Sequence, residues 1–157
     1  MSERLPDPSS DPFPQALSLA ETVDFLDAAF PQMAAGGYRL VAVGPGTARV
    51  RMDHHDRHLR PGGTVSGPSM MALADYALYA AILASLGPVA LAVTTSLNFN
   101  FLRKPGPHGL VGTARLLKLG RRLAVGEVLI TGPDGETLVC HATGTYAIPP
   151  ERDAGAG

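Results

Sequence analysis

The chain has 157 residues, 45% of them hydrophobic and 17% charged, so it carries enough apolar material for one domain's core and is not a disordered chain. Thirteen Lys and Arg against fourteen Asp and Glu give a net charge of −1, which does not suggest a nucleic-acid binder or a membrane-surface protein. One cysteine, Cys140, excludes an internal disulfide framework, and no Cys/His spacing has the form of a zinc site.

Residues 1–16 are acidic and proline-rich without the apolar run of a signal peptide, so a disordered lead is expected there. A single domain is expected over 17–149 and a frayed tail over 150–157. Leu19, Val23, Leu26 and Phe30 recur at helical spacing with Glu21, Asp24 and Asp27 turned away, which predicts a short amphipathic helix. From Tyr38 to His55 the chain alternates around Gly44-Pro45-Gly46, as two antiparallel strands joined by a turn would. The apolar run from Met70 to Leu86 falls short of a bilayer span and contains Asp75. It is predicted to be a buried helix with Ser66 or Gly67 as N-cap, Pro68 in its first turn and Gly87-Pro88 at its end. The rest reads as four strands, LAVTTSLNFNFLR, GLVGTARLLKLG, RRLAVGEVLITG and ETLVCHATGTYAI, separated by turns at Pro105-Gly106-Pro107, Gly120 and Gly132-Pro133-Asp134-Gly135. About six strands and one long helix make an α+β domain, an antiparallel sheet with the helix on one side and water on the other. The alternation of Leu97, Phe99 and Phe101 with Asn98 and Asn100 fits such a sheet.

Between Arg60 and Arg103 the only charged side chain is Asp75. A carboxylate on a buried helix has to be paired, hydrogen-bonded or open to a cavity, because an isolated buried charge is costly. The alternative is a helix strip open to water; a functional carboxylate in a cleft is the stronger reading. From Tyr76 to Gly126 no acidic residue occurs, while Arg103, Lys104, Arg115, Lys118, Arg121 and Arg122 do. Cations at hairpin ends suit phosphate groups, or else are solvated and paired elsewhere in the fold. The run Asp53-His54-His55-Asp56-Arg57-His58 invites a metal, but strand alternation parts His54 and Asp56 from His55, and a polar strand end is expected instead. Cys140 faces away from its neighbour His141 on a strand and is expected in the core. The lone thiol, the near-neutral charge and the lack of a targeting signal point to the cytoplasm.

The segment RPGGTVSGPSMMALADYALYAAI resembles the hotdog-fold acyl-CoA thioesterases of the PaaI type. Their signature runs Asn-x-x-Gly-x-x-His-Gly-Gly and then six residues to an Asp on the helix; Gly63, Gly67, Leu73, Ala74 and Asp75 match it. TTSLNFNFLRKP, LKLGRRLAVGEVLI and GTYAI continue the resemblance, which spans roughly residues 38–148. It implies a long central helix wrapped by a curved antiparallel sheet, a homodimer or dimer of dimers with active sites at the dimer interface, and hydrolysis of an acyl- or aryl-CoA with no metal and no cofactor.

By the same resemblance, Asp75 is the general base or nucleophile, and the Gly67 N–H at the positive end of the helix holds the thioester oxygen. Ser66 stands beside it, and Thr95 on the central strand of a partner subunit orients the water or the carboxylate. Lys118, Arg121 and Arg122, around the Gly-Arg-Arg turn, would meet the CoA phosphates, with Arg103 a further candidate for them. Arg60 and Gly63 are candidate substrate-binding residues, as are Met71 and Tyr79, which beside a run of alanines suit an apolar acyl pocket, although core packing explains the same two. Three positions depart from the signature: Arg60 stands for its Asn, Ser66 for its His and Pro68 for its last Gly. Arg60 is expected to be able to pair with Asp75, keeping it ionised but a weaker base. Pro68 removes one N–H from the helix start while Gly67 keeps its own. Two further activities stay open at this level: acyl-CoA binding without turnover, and a hydratase or dehydratase, which needs a positioned His that this helix lacks.

Overall fold

Sequence order and sheet order part at one strand. The computed structural model describes residues 13–89 and 91–150, and in it β1 (Tyr38–Gly44), β2 (Thr47–Met52), β3 (Val93–Phe101), β4 (Leu110–Leu119), β5 (Leu123–Thr131) and β6 (Leu138–Ala147) form one sheet ordered β1-β2-β4-β5-β6-β3. Every neighbouring pair is antiparallel. The strand that follows the long helix is thus laid on the far edge, against β6, with its other side unpaired.

That helix, α3 (Gly67–Leu86), has 20 residues, which gives it a length of about 30 Å. Ser66 caps it, its Oγ accepting the Ser69 N–H at 3.3 Å, and Pro68 fits the first turn. It stops at Gly87, whose φ of 99° few other residues adopt and whose N–H donates to the Leu83 oxygen at 2.8 Å. By length and composition α3 resembles a membrane span, yet it is mostly buried inside the domain. A helix apolar all round needs such an enclosure, and the sheet supplies it by curling around it. Gly126 and Gly144, opposite each other on β5 and β6, make this close approach possible: a Cβ on either would stand 2.6 or 2.7 Å from a Leu78 methyl. Further along, buried Ser85 accepts the Gly46 N–H at 3.0 Å and ties the β1–β2 turn to α3.

The short helix α1 (Leu19–Ala29) opens with a reciprocal Ser18–Glu21 capping box. Its inner stripe differs from the predicted one, because Thr22 is buried beside Leu26 while Leu19 stays partly exposed. Thr22 enters the interior by donating its hydroxyl to the Ser18 carbonyl at 2.7 Å. A one-and-a-half-turn helix, α2 (Pro31–Ala35), was not expected. Of the lead expected over 1–16, residues 1–12 lie outside the described ones, while Ala16 and Leu17 donate their N–H groups to the Ala84 oxygen at 2.7 and 3.1 Å. Residues 151–157 of the expected tail also lie outside them.

The histidine-rich run corrects the expectation of a strand end. β2 stops at Met52, and Asp56–His58 is a single 3-10 turn capped by His55, which rotates His58 inward until it is buried. Among the described residues no three His, Cys, Asp or Glu side chains come together as a metal site would require.

Candidate functional site

The first turn of α3 is short of hydrogen-bond acceptors by one. A helix start leaves its first N–H groups without intrahelical partners. Here Pro68 has no N–H, the Ser69 N–H goes to the Ser66 hydroxyl and the Met70 N–H to the Ser66 carbonyl at 3.2 Å. The Gly67 N–H alone has no acceptor among the described residues, and it sits at the positive end of a 20-residue dipole.

This donor borders a cleft of about 700 Å³ whose lining includes Arg60, Met70, Phe101, Arg103 and Lys104. Arg60 is carried there by a tight turn in which Pro61 and Gly62 are the central residues and the Gly63 N–H returns to the Arg60 carbonyl at 3.0 Å. Gly62 and Gly63 have φ of 100° and 83°, so the turn demands glycine. The loop is closed at its base by the Leu59–Val65 bridge. Three cations therefore face one helix start, a setting suited to an anionic ligand.

Asp75 lies on the same side of α3 as exposed Pro68 and Met71, half-buried. Its Oδ1 accepts the Thr94 hydroxyl at 2.7 Å and the Tyr146 hydroxyl in a short contact, and Tyr146 also reaches the Asp75 carbonyl at 2.8 Å. Burial, and then the Asp75 charge, push the Tyr146 phenol far above its ordinary range, so it stays a donor. Oδ2 receives no hydrogen bond from the described residues, leaving one carboxylate oxygen for water. The expected Arg60–Asp75 pair is not formed: Arg60 belongs to the loop before the helix, and hydroxyls alone hold the carboxylate.

Thr95 sits at the irregularity where β3 slips against β6, and its hydroxyl donates to the Thr145 carbonyl at 3.2 Å; the neighbouring Thr94 is the one that reaches Asp75. Met71 is exposed, while Tyr79 is buried between Phe30 and Tyr146, with ring centroids 5.4 and 6.4 Å away. Arg103 is at the cleft, but Lys118, Arg121 and Arg122 are at the other end of the sheet, beside Val93 and Ala147. Thr94 and Tyr146 were missed as site residues, whereas Lys104, one of the six cations expected to suit phosphate groups, stands with Arg103 at the cleft. Tyr146 was signalled by the GTYAI segment; nothing local marked Thr94 over Thr95.

Along α3, Asp75 is eight residue steps on from Gly67, which puts donor and carboxylate about 12 Å apart. Within one chain they cannot act on the same carbonyl group. Gly67 lies beside Phe101 at the end of β3, where a Cβ would be 3.6 Å from the ring, and Asp75 lies beside Thr94 at its beginning.

The thioesterase superfamily profile matches residues 62–140. Among solved structures, a protein of Silicibacter sp. TM1040 assigned as a thioesterase is 47% identical over 88% of this chain and 96% of its own, with a TM-score of 0.81. A mutant of the phenylacetic acid degradation protein PaaI from Thermus thermophilus is 31% identical over 76% of this chain and 99% of its own, at 0.68. A thioesterase of Haemophilus influenzae, at 20% identity over 88% of this chain and 94% of its own, shares the fold with a TM-score of 0.77. No curated protein matches the chain. The enclosed helix, the antiparallel sheet and these matches together establish that the chain belongs to the thioesterase superfamily and is a thioester hydrolase of the hotdog fold.

Proposed function

We propose that the chain hydrolyses an acyl- or aryl-CoA thioester at a site shared by two copies, the Gly67 N–H of one facing Asp75 of the other. The observation that carries this reading is the unengaged Gly67 N–H, about 12 Å from the half-buried carboxylate on one rigid helix. β3 is an edge strand with an unpaired side and exposed Val93 and Phe101, a surface natural sheets cover. Antiparallel pairing of β3 with β3 of a second copy would set the beginning of one strand beside the end of the other. That arrangement sets Asp75 of one copy beside Gly67 of the other, and it also brings the Lys118–Arg122 end of one copy toward the Arg103 end of the other.

In this site the Asp75 carboxylate takes a proton from water as its oxygen attacks the thioester carbon. The carbonyl oxygen gains the negative charge and is held by the Gly67 N–H and the helix dipole. Collapse of the tetrahedral intermediate breaks the carbon–sulfur bond, and the proton held by Asp75 passes to the leaving sulfur, so that CoA thiol and the acid are released and the carboxylate is regenerated. Arg60, Arg103 and Lys104 supply cations for the phosphates, joined by Lys118, Arg121 and Arg122 across the pair. Thr94 and Tyr146 orient Asp75, and no cofactor enters the scheme.

The test is free-thiol release from a panel of aryl- and alkyl-CoA esters by wild type and Asp75→Asn. The asparagine oxygen still accepts from Thr94 and Tyr146, so the fold should persist while turnover falls about 10²- to 10⁴-fold. Turnover unchanged in Asp75→Asn, or no turnover of any ester by wild type, would overturn the reading.

A further inference from the structure

His58 is a buried titratable side chain that this reaction leaves without a role. It is 4% exposed and packs edge-on against Tyr38, with ring centroids 5.2 Å apart. Both ring nitrogens are engaged: Nε2 lies 2.8 Å from the Gly36 carbonyl oxygen and Nδ1 3.0 Å from the Ser69 hydroxyl. A carbonyl oxygen only accepts, so Nε2 carries the hydrogen, and in the neutral ring Nδ1 accepts the Ser69 O–H. The Ser69 oxygen in turn accepts the Ser66 O–H at 3.1 Å, and the Ser66 oxygen accepts the Ser69 N–H. The direction of every hydrogen in this chain is therefore set, and it commits the Ser66 hydroxyl to Ser69, one residue from Gly67.

A proton added at Nδ1 reverses the chain. The Nδ1–H then donates to the Ser69 oxygen, the Ser69 hydrogen turns to the Ser66 oxygen, and the Ser66 hydrogen is released. Both ring N–H groups keep an acceptor, so the reversal needs no unfolding. We propose that His58 is a proton-sensitive positioning residue: neutral, it holds the Ser66 hydroxyl on Ser69; protonated, it frees that hydroxyl, on the residue next to the cleft-lining Gly67, to act as a second donor beside the Gly67 N–H. The effect on rate rests on the thioester-hydrolysis reading, whereas the switch itself rests on the hydrogen-bond geometry alone.

The groups facing His58 come from four elements. Arg57 and His55 flank it on its own turn, Asp53 follows β2, Tyr38 stands on β1, and α3 presents only the uncharged Ser69. Burial is the largest influence and lowers its titration below the ordinary histidine range; the Gly36 bond and Asp53 oppose this, and Arg57 and His55 add to it. The switch thus operates on the acid side of the ordinary histidine value.

The experiment is the pH dependence of kcat/KM for wild type, Ser69→Ala and Ser66→Ala, with nitrogen-15 NMR of the His58 ring and the Gly67 amide. Wild type should gain about tenfold as pH falls through the His58 titration. Ser69→Ala, with its Ser66 hydroxyl free at every pH, should lose that rise and run faster than wild type near neutrality. Ser66→Ala should show no rise. A wild-type profile in Ser69→Ala, or a rise that persists in Ser66→Ala, overturns the proposal. If no ester is turned over, the functional reading falls, and NMR decides the switch. An Nε2–H tautomer with a Gly67 amide that follows His58 titration in wild type, and not in Ser69→Ala, supports it. An Nδ1–H tautomer, or a Gly67 amide indifferent to His58, overturns it.

Discussion

Replacing Gly67 with proline deletes one hydrogen-bond donor and little else. The Gly67 N–H has no acceptor at the start of α3, so the helix loses no bond of its own. Proline suits the first helical position, and the preceding Ser66 already has φ −72° and ψ 151°, the extended conformation proline requires before it. A Cβ at this position meets only the Phe101 ring, at 3.6 Å, an ordinary contact. Stability should therefore change by no more than about 1 kcal/mol, a melting shift of about 3 °C. A donor aimed at the developing oxyanion is worth about 3 kcal/mol of barrier, so kcat should fall about 10²- to 10³-fold. KM should move much less, because the bond strengthens only as charge builds on the oxygen. Thiol release under saturating and limiting ester, alongside a melting curve, measures both quantities. A Gly67→Pro protein that melts with wild type and turns over at its rate would refute the assignment of Gly67.

Gly126→Ala should lower the melting temperature by about 5 °C, since its Cβ meets both a Leu78 methyl and the rigid Arg115 carbonyl. Gly144→Ala, whose closest contacts are the flexible ends of Leu78 and Leu97, should cost less; an equal or reversed order in calorimetry would contradict the packing account. On the outer face of the sheet, hydrogen bonds from His141, and then Arg115, hold the Glu127 carboxyl below its usual range against the opposing effect of burial. Its stabilisation is therefore present above the unfolded value of about 4.3 and is lost as pH falls through the lower folded value. Glu127→Gln should flatten the acid limb of a stability–pH curve, and an acid limb as steep as that of wild type would count against this. The buried Thr131 hydroxyl has no hydrogen-bond partner among the described residues, so Thr131→Val should raise stability by about 1 kcal/mol, and a lowered melting temperature would show that the hydroxyl is satisfied.

The long helix and the six strands were legible because their signals are local: alternation, glycine and proline punctuation, and an apolar run with a capping serine at its start. Asp75 stood out as the only charge in a long neutral stretch, and the structure gives it an environment made of hydroxyls. Its partners were not legible, because Thr94 and Tyr146 meet it through the register of β3 on β6 and through a slip of one residue that no local pattern encodes. The same slip decides between Thr94 and Thr95. His58 was misplaced for a related reason: alternation was extended past Met52, where the backbone in fact coils into a turn and swings the ring inside. The two clusters of cations look continuous in sequence, yet the antiparallel sheet sends them to opposite ends, and only the cluster around Arg103 lies beside the Gly67 cleft within one chain.

Subunit complementation separates a site shared by two copies from one held within a single copy. Gly67→Pro and Asp75→Asn, each with turnover reduced at least about a hundredfold by itself, are unfolded together and refolded as a mixture. Half of the resulting pairs are hybrids, and one of the two sites in each hybrid would combine an intact Gly67 with an intact Asp75, so thiol release should return to roughly a quarter of the wild-type rate. A mixture as inactive as its two parents, with hybrid pairs present by native mass spectrometry, would contradict the shared site.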